Sequence, residues 1–219
     1  MHLRNVILAA LVFAMVAFAQ NPITADSPFQ VKYAANLAAG ESYINIVNTG
    51  ANGAPLLGPG FGGAAGNICV NVYTFSPDEQ LISCCSCFIT PNAVVNLGVN
   101  RDLTIKTLTG VVPPSVTVKL LNTLAGPNGT SGSSACTNSA AVAGGPINPI
   151  AIGMAAWGTT LHAAPGGVFA TTETPFTPAT LSAGELASIT GRCAAILGNG
   201  SGFGQCLSCR LGALGGAKK

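Results

Sequence analysis

The sequence predicts a mainly β protein, an antiparallel β-sandwich-like sheet with one C-terminal α-helix stapled to it by disulfides. Three observations carry that expectation. Short runs of β-branched and aromatic residues recur between residues 29 and 122, at roughly the 8–12-residue spacing of sandwich and barrel strands. Only the segment from Ser182 to Gly198 shows convincing helical spacing of apolar residues. Eight cysteines, an even number, follow a leader that marks export, and the oxidising exterior makes disulfides their expected state.

The chain begins with His2 and Arg4, an apolar run from Val6 to Phe18, and the small-residue pattern Ala17-Phe18-Ala19. This is the order of a secretory signal peptide, and the run is shorter than the ~20 residues a membrane span needs. Residues 1–19 are therefore expected to be removed, leaving a secreted protein, extracellular or periplasmic, with no membrane span or anchor. The remaining 200 residues (219 minus 19) carry eight basic and seven acidic side chains once Arg4 is gone. That near-neutral balance lacks the clustered basic face of a nucleic-acid binder, and weak mutual repulsion favours association between copies. Charged residues make up only 7 % of the chain, so Gly, Ala, Thr, Asn and Ser are expected to fill the surface instead.

Residues 20–125 are read as the β-rich core. Strands are expected at 29–34, 41–48, 67–75, 80–89, 93–99 and 115–122, with 100–109 a further strand or a crossing loop. Residues 67–99 read as a three-stranded meander, turning at Ser76-Pro77-Asp78-Glu79 and Thr90-Pro91-Asn92, where proline and asparagine suit turns. The stretch Gly58-Pro59-Gly60-Phe61-Gly62-Gly63 fits G-x-G-x-x-G by letter, but no helix follows it, so it reads as a loop rather than a nucleotide site. Residues 126–148 form a low-complexity Gly/Ser loop. Residues 149–219 hold a hairpin around Ala164-Pro165-Gly166, the helix and Cys206-x-x-Cys209, expected to pack on the same domain. Ser182 and Glu185 make a capping box, and Leu186, Ile189, Cys193 and Ile196 form the helix's buried stripe.

The cysteines are Cys69, Cys84, Cys85, Cys87, Cys136, Cys193, Cys206 and Cys209. Alternation along a strand sends Cys84 to the face opposite Cys85 and Cys87, and two residues along a strand is close to the reach limit of a bridge, which argues against Cys85–Cys87. Closing the hairpin at Pro77-Asp78 sets Cys69 opposite Ser86. Cys69 is thus expected to bond Cys87 or Cys85, the others to reach toward the C-terminus, and Cys193 to reach Cys136.

No motif names a ligand or a reaction. The leading reading is a secreted structural or surface-interaction protein, partnered by itself or by an extracellular polymer, without cofactor or metal. An alternative is an extracellular carbohydrate-binding module, with Trp157, Tyr43 and Tyr73 as ligand-facing rings. A second alternative is a thiol-redox or metal-dependent enzyme using Cys206 and Cys209. Arg210 beside that pair would lower a thiol pKa, and Cys206, Cys209 and two of Cys84, Cys85 and Cys87 would satisfy a four-thiolate zinc site. His162, the one histidine after the leader, has no catalytic motif around it, and Asp78 and Glu79 belong to a turn. Asn128 and Asn199 each begin a glycosylation triplet.

Overall fold

The computed structural model describes residues 26–58, 63, 65–137, 143–207 and 209–211. The expected signal peptide and most of the glycine loop at 58–63 lie outside the described residues. Among the described residues ten strands form two five-stranded sheets. Sheet A runs in the order β4 (Leu81–Ile89), β3 (Ile68–Phe75), β6 (Val116–Leu124), β1 (Phe29–Ala34), β9 (Thr177–Pro178). Sheet B runs β10 (Arg210–Leu211), β5 (Val94–Gly98), β2 (Tyr43–Asn48), β7 (Met154–Ala163), β8 (Phe169–Pro175). Every pairing within the sheets is antiparallel.

Pleat alternation builds the core. Ile68, Val70 and Val72 of β3 and Val116, Val118 and Leu120 of β6 face Ile44 and Ile46 of β2, Val95 and Leu97 of β5 and Met154 of β7, all of them buried. Fully burying each such side chain is worth about 1.5–3 kcal/mol. The opposite face of β3 carries Tyr73 and Phe75. With Phe29, Leu81 and Leu121 these pack beneath α1 (Ala183–Gly198) against Ile189, Cys193 and Ile196. The molecule is thus a β-sandwich with one helix laid on the outside of sheet A. Ser182 caps that helix as its sequence suggests, accepting the Glu185 N–H at 3.1 Å, and Lys119 of β6 pairs with Glu185 at 2.6 Å.

Three places refine the local expectations. The 67–99 meander stops after two strands: β3 and β4 pair, but β5 crosses to sheet B beside β2. Of the two readings of residues 100–109, the crossing loop holds: the chain passes from β5 in sheet B to β6 in sheet A, beginning with a single π-helical turn at Val99–Leu103. Glu41 holds this turn, accepting the Asn100 and Arg101 N–H groups at 2.8 and 3.0 Å, while buried Asp102 accepts Gly98 N–H at 2.7 Å and pairs with Arg101 at 2.9 Å. The 126–148 segment has fixed points that its composition hides. Asn148 accepts Gly126 N–H and donates to the Ala135 carbonyl, at 3.0 and 2.8 Å.

All eight cysteines are bonded: Cys69–Cys136, Cys84–Cys193, Cys85–Cys206 and Cys87–Cys209. The expected bond from Cys69 to Cys87 or Cys85 is overturned by register. A bulge between Thr74 and Phe75 shifts the hairpin so that Cys69 stands opposite Phe88. Cys85 and Cys87 lie an odd number of residues from Phe88, so they point to the other face. The expected Cys193–Cys136 bond fails on position. The helix lies over Cys84, whereas the Cys136 loop lies near Ile68 at the far end of β3. Alternation along β4 does separate Cys84, under the helix, from Cys85 and Cys87, on the sandwich side. Among the described residues no helix is long and apolar enough to cross a membrane.

Candidate functional site

The two sheets end in different ways. The outer edge of β4 is engaged by the segment after α1: Cys84 N–H donates to Gly204 O at 2.8 Å and Cys206 N–H donates to Cys84 O at 3.3 Å. Beside this contact, Cys85–Cys206 and Cys87–Cys209 tie the same segment down. Strands β9 and β10, the edges of sheets A and B at their other contacts, are two residues each. Strand β8 is seven residues long and, among the described residues, exposed at every position and paired only on its β7 side.

The hairpin forms because Gly166 and Gly167 take positive φ (84° and 76°), which lets a short turn close behind Ala164 and Pro165. From there the register runs unbroken from Ala163↔Phe169 to Trp157↔Pro175. Two bonds at its ends fix the phase of the ladder: Ala164 N–H to Val168 O at 3.0 Å and Phe176 N–H to Ala156 O at 2.9 Å. Hydrogen-bonded and non-hydrogen-bonded pairs alternate in an antiparallel ladder. Ala170, Thr172 and Thr174 therefore bond to β7, while Phe169, Thr171 and Glu173 turn their N–H and C=O groups away from it, toward solvent.

Devices that usually protect such an edge are missing along β8, which has no bulge, no lysine and no proline before its last residue. Its one charge is folded back. Asn45 Nδ2 donates to Glu173 Oε1 at 3.1 Å, and Asn96 Nδ2 donates to Asn45 Oδ1 at 2.9 Å, a polar row across the outer face of sheet B. On the sandwich side, Lys32 Nζ donates to Thr174 Oγ1. Its stem crosses Gly158, where a Cβ would stand 2.2 Å from Lys32 Cε. Burial lowers the Lys32 pKa. His162 Nε2 lies 3.0 Å from Thr172 Oγ1 on the same exposed hairpin.

The expected ligand-facing rings are not gathered together. Tyr73 is fully buried beneath α1 and can face no ligand, which corrects that expectation. Tyr43 is half-buried, with the Arg101 guanidinium 5.9 Å from its ring centroid. Trp157, 37 % exposed, borders a cleft of about 570 Å³ with Asp26, Gln30, Phe176 and Pro178. The cleft's polar groups already hold the fold. Asp26 Oδ2 accepts Gly153 N–H at 2.7 Å, and Gln30 Nε2 donates to Met154 O and Ser27 O, both at 3.0 Å.

Cys206 and Cys209 bond different partners rather than each other, so the pair lacks the internal disulfide that a Cys-x-x-Cys redox site cycles. The sulfurs of Cys85, Cys87 and Cys209 lie within 4.8 Å of one another. With Cys206 they are the set nearest to a four-thiolate site, and here they are consumed as two cystines. No family model, curated protein or solved structure matches this chain.

Sequence reasoning found the hairpin but missed the outward-facing set Phe169, Thr171 and Glu173. Ala170-Thr171-Thr172-Glu173-Thr174 has no apolar face. That is the signal of a strand with neither side in a core, and it was available in the sequence.

Proposed function

We propose that this chain is an exported structural or surface-interaction protein that engages its partner by adding a strand at β8. One observation carries the reading: a seven-residue edge strand, exposed throughout and unguarded, on a sandwich whose other long edge is engaged and covalently tied. Main-chain hydrogen bonds give strand addition its affinity, and side chains on the two faces set its specificity. Four cystines suit an oxidising compartment, and the leader at residues 1–19 supports export. The test is the distribution of the protein between cell surface and medium in its source organism. Thr171→Pro removes an N–H that β7 does not use and is tolerated by an edge strand. The wild type is expected to stay with the surface or matrix, and Thr171→Pro to be released about tenfold more. Equal retention of the two forms would overturn strand addition.

Carbohydrate binding is the second reading, favoured by the partly exposed Trp157 beside its cleft. It requires glycan-array binding that Trp157→Ala abolishes and Thr171→Pro leaves intact.

A further inference from the structure

We infer that the strand added at β8 is β8 of a second copy of this chain, antiparallel, across a two-fold axis through Thr171. The inference rests on the strand-addition reading and names its partner. Symmetric pairing of one patch with itself is the commonest way soluble chains associate, and among the registers centred on Thr171, Thr172 and Glu173 the sequence of β8 favours one.

The outward-facing residues are Phe169, Thr171 and Glu173. With Thr171 on the axis, Thr171 meets its own copy, and Phe169 of each chain meets Glu173 of the other. All three positions carry an N–H, so three hydrogen-bonded pairs form, about six bonds in all. Sheet B of one copy and sheet B of the other then become one continuous sheet of ten strands (five plus five). Each Glu173, its carboxylate held back by Asn45, sets its stem beside a phenyl ring and stays four residues from its equivalent. Moving the axis to Thr172 brings Pro175, which has no N–H, opposite Phe169 and sets the two Glu173 side chains on a diagonal. Moving it to Glu173 opposes two carboxylates directly, which destabilises a cross-strand pair. Parallel pairing in register stacks them as well.

Side chains agree with the Thr171 axis. Phe169 is 49 % and Val168 61 % exposed, large for apolar groups at a free tip. In this register Phe169 lies over the stem of the second copy's Glu173, and Val168 meets its Thr174. Near-neutral net charge removes long-range repulsion between copies. A contact this small belongs with weak, transient interfaces, so the measurement must extend to about 0.5 mM protein.

The decisive experiment is sedimentation equilibrium of the disulfide-bonded mature protein as wild type, Thr171→Lys, Thr171→Glu, and a 1:1 mixture of the two variants. Thr171 is exposed and outside both cores, so melting curves should coincide. The wild type is expected to dimerise. Each variant alone should bind at least tenfold more weakly, because like charges meet on the axis, and the mixture should recover wild-type association or better. Amide exchange gives an independent readout: Thr171 and Glu173 become protected as concentration rises, whereas Ala170, Thr172 and Thr174 are protected at every concentration. Three results would each overturn the inference: a monomeric wild type, variants that dimerise like wild type, or a Thr171→Lys form that associates more tightly through the opposed Glu173. A monomeric wild type combined with surface release of Thr171→Pro would remove the second copy as partner and leave strand addition standing.

Discussion

Asn48 lies on β2 of sheet B, yet its Nδ2 donates to Gly66 O and to Ile89 O of sheet A, both at 2.9 Å, while its Oδ1 accepts Gly50 N–H at 2.9 Å. Asparagine was expected to dress the surface of a chain so poor in charge. Asn45, Asn48, Asn67, Asn71, Asn96, Asn122 and Asn148 are buried instead. A neutral amide offers both donors and acceptors without the desolvation cost of a buried ion, so it can brace one sheet against another. Asn48→Ala leaves those carbonyls and the N–H with no side-chain partner and should cost about 3 kcal/mol in urea unfolding, given 1–3 kcal/mol per orphaned buried group. Tyr73 is the opposite case, because its buried hydroxyl has no hydrogen-bond partner among the described residues. Burial pushes its phenol pKa well up, so the folded state keeps a proton that the unfolded chain releases near pH 10. Stability from this group is intact below that pH and falls above it, by about 1.4 kcal/mol per unit. Tyr73→Phe should remove the alkaline slope and gain about 1 kcal/mol at neutral pH. An unchanged slope would mean that the phenol is hydrated.

At the scale of elements, the local signals in the sequence were sufficient and the long-range ones were absent. Strand positions were legible because alternation and turn residues are local: β1 spans the expected 29–34, and the helix starts at its capping box. The register of β3 on β4 was not, since a bulge at Thr74/Phe75 and a left-handed Glu79 (φ 68°) leave no mark in the hydrophobic pattern. The sheet joined by β5 was illegible for a related reason: period-two burial states that a face is covered, not which sheet covers it. The candidate edge was half legible: the missing apolar face of residues 170–174 marks a strand outside the core, but which of its sides stays unpaired depends on what lies beside β8. For α1, Ser182→Ala removes the acceptor of Glu185 N–H and should cost about 1 kcal/mol. Because Cys193 anchors the middle of the helix to Cys84, the loss should appear as faster amide exchange in the first turn, with the last two turns unchanged. Exchange rising along the whole helix would show that the bond does not hold it.

For the molecule as a whole, covalent ties take the role that a larger hydrophobic interior or a charged shell has in other proteins. The four bonds close sequence separations of 67, 109, 121 and 122 residues. In the chain-entropy account each is worth between about 4 and 5 kcal/mol, without simple additivity. Three of them join β4 to Cys193, Cys206 and Cys209, so the helix and the segment after it are locked to the edge strand of sheet A while β8 projects free of any bridge. Access should set the order in which they open. Cys84 and Cys193 are both fully buried, Cys69–Cys136 and Cys87–Cys209 each have one fully buried member, and Cys85–Cys206 has two partly exposed ones. Exchange needs a thiolate to reach a sulfur in line. Limited reduction followed by alkylation and peptide mapping should therefore label Cys85 and Cys206 first and Cys84 and Cys193 last. With Cys85–Cys206 open, the bridge Cys84↔Gln205 loses its nearest tether, and amide protection at Cys84 should fall while the β7–β8 hairpin stays as it was. Early labelling of Cys193 would mean that the helix lifts off sheet A in solution, and that the sandwich stands without its outer layer.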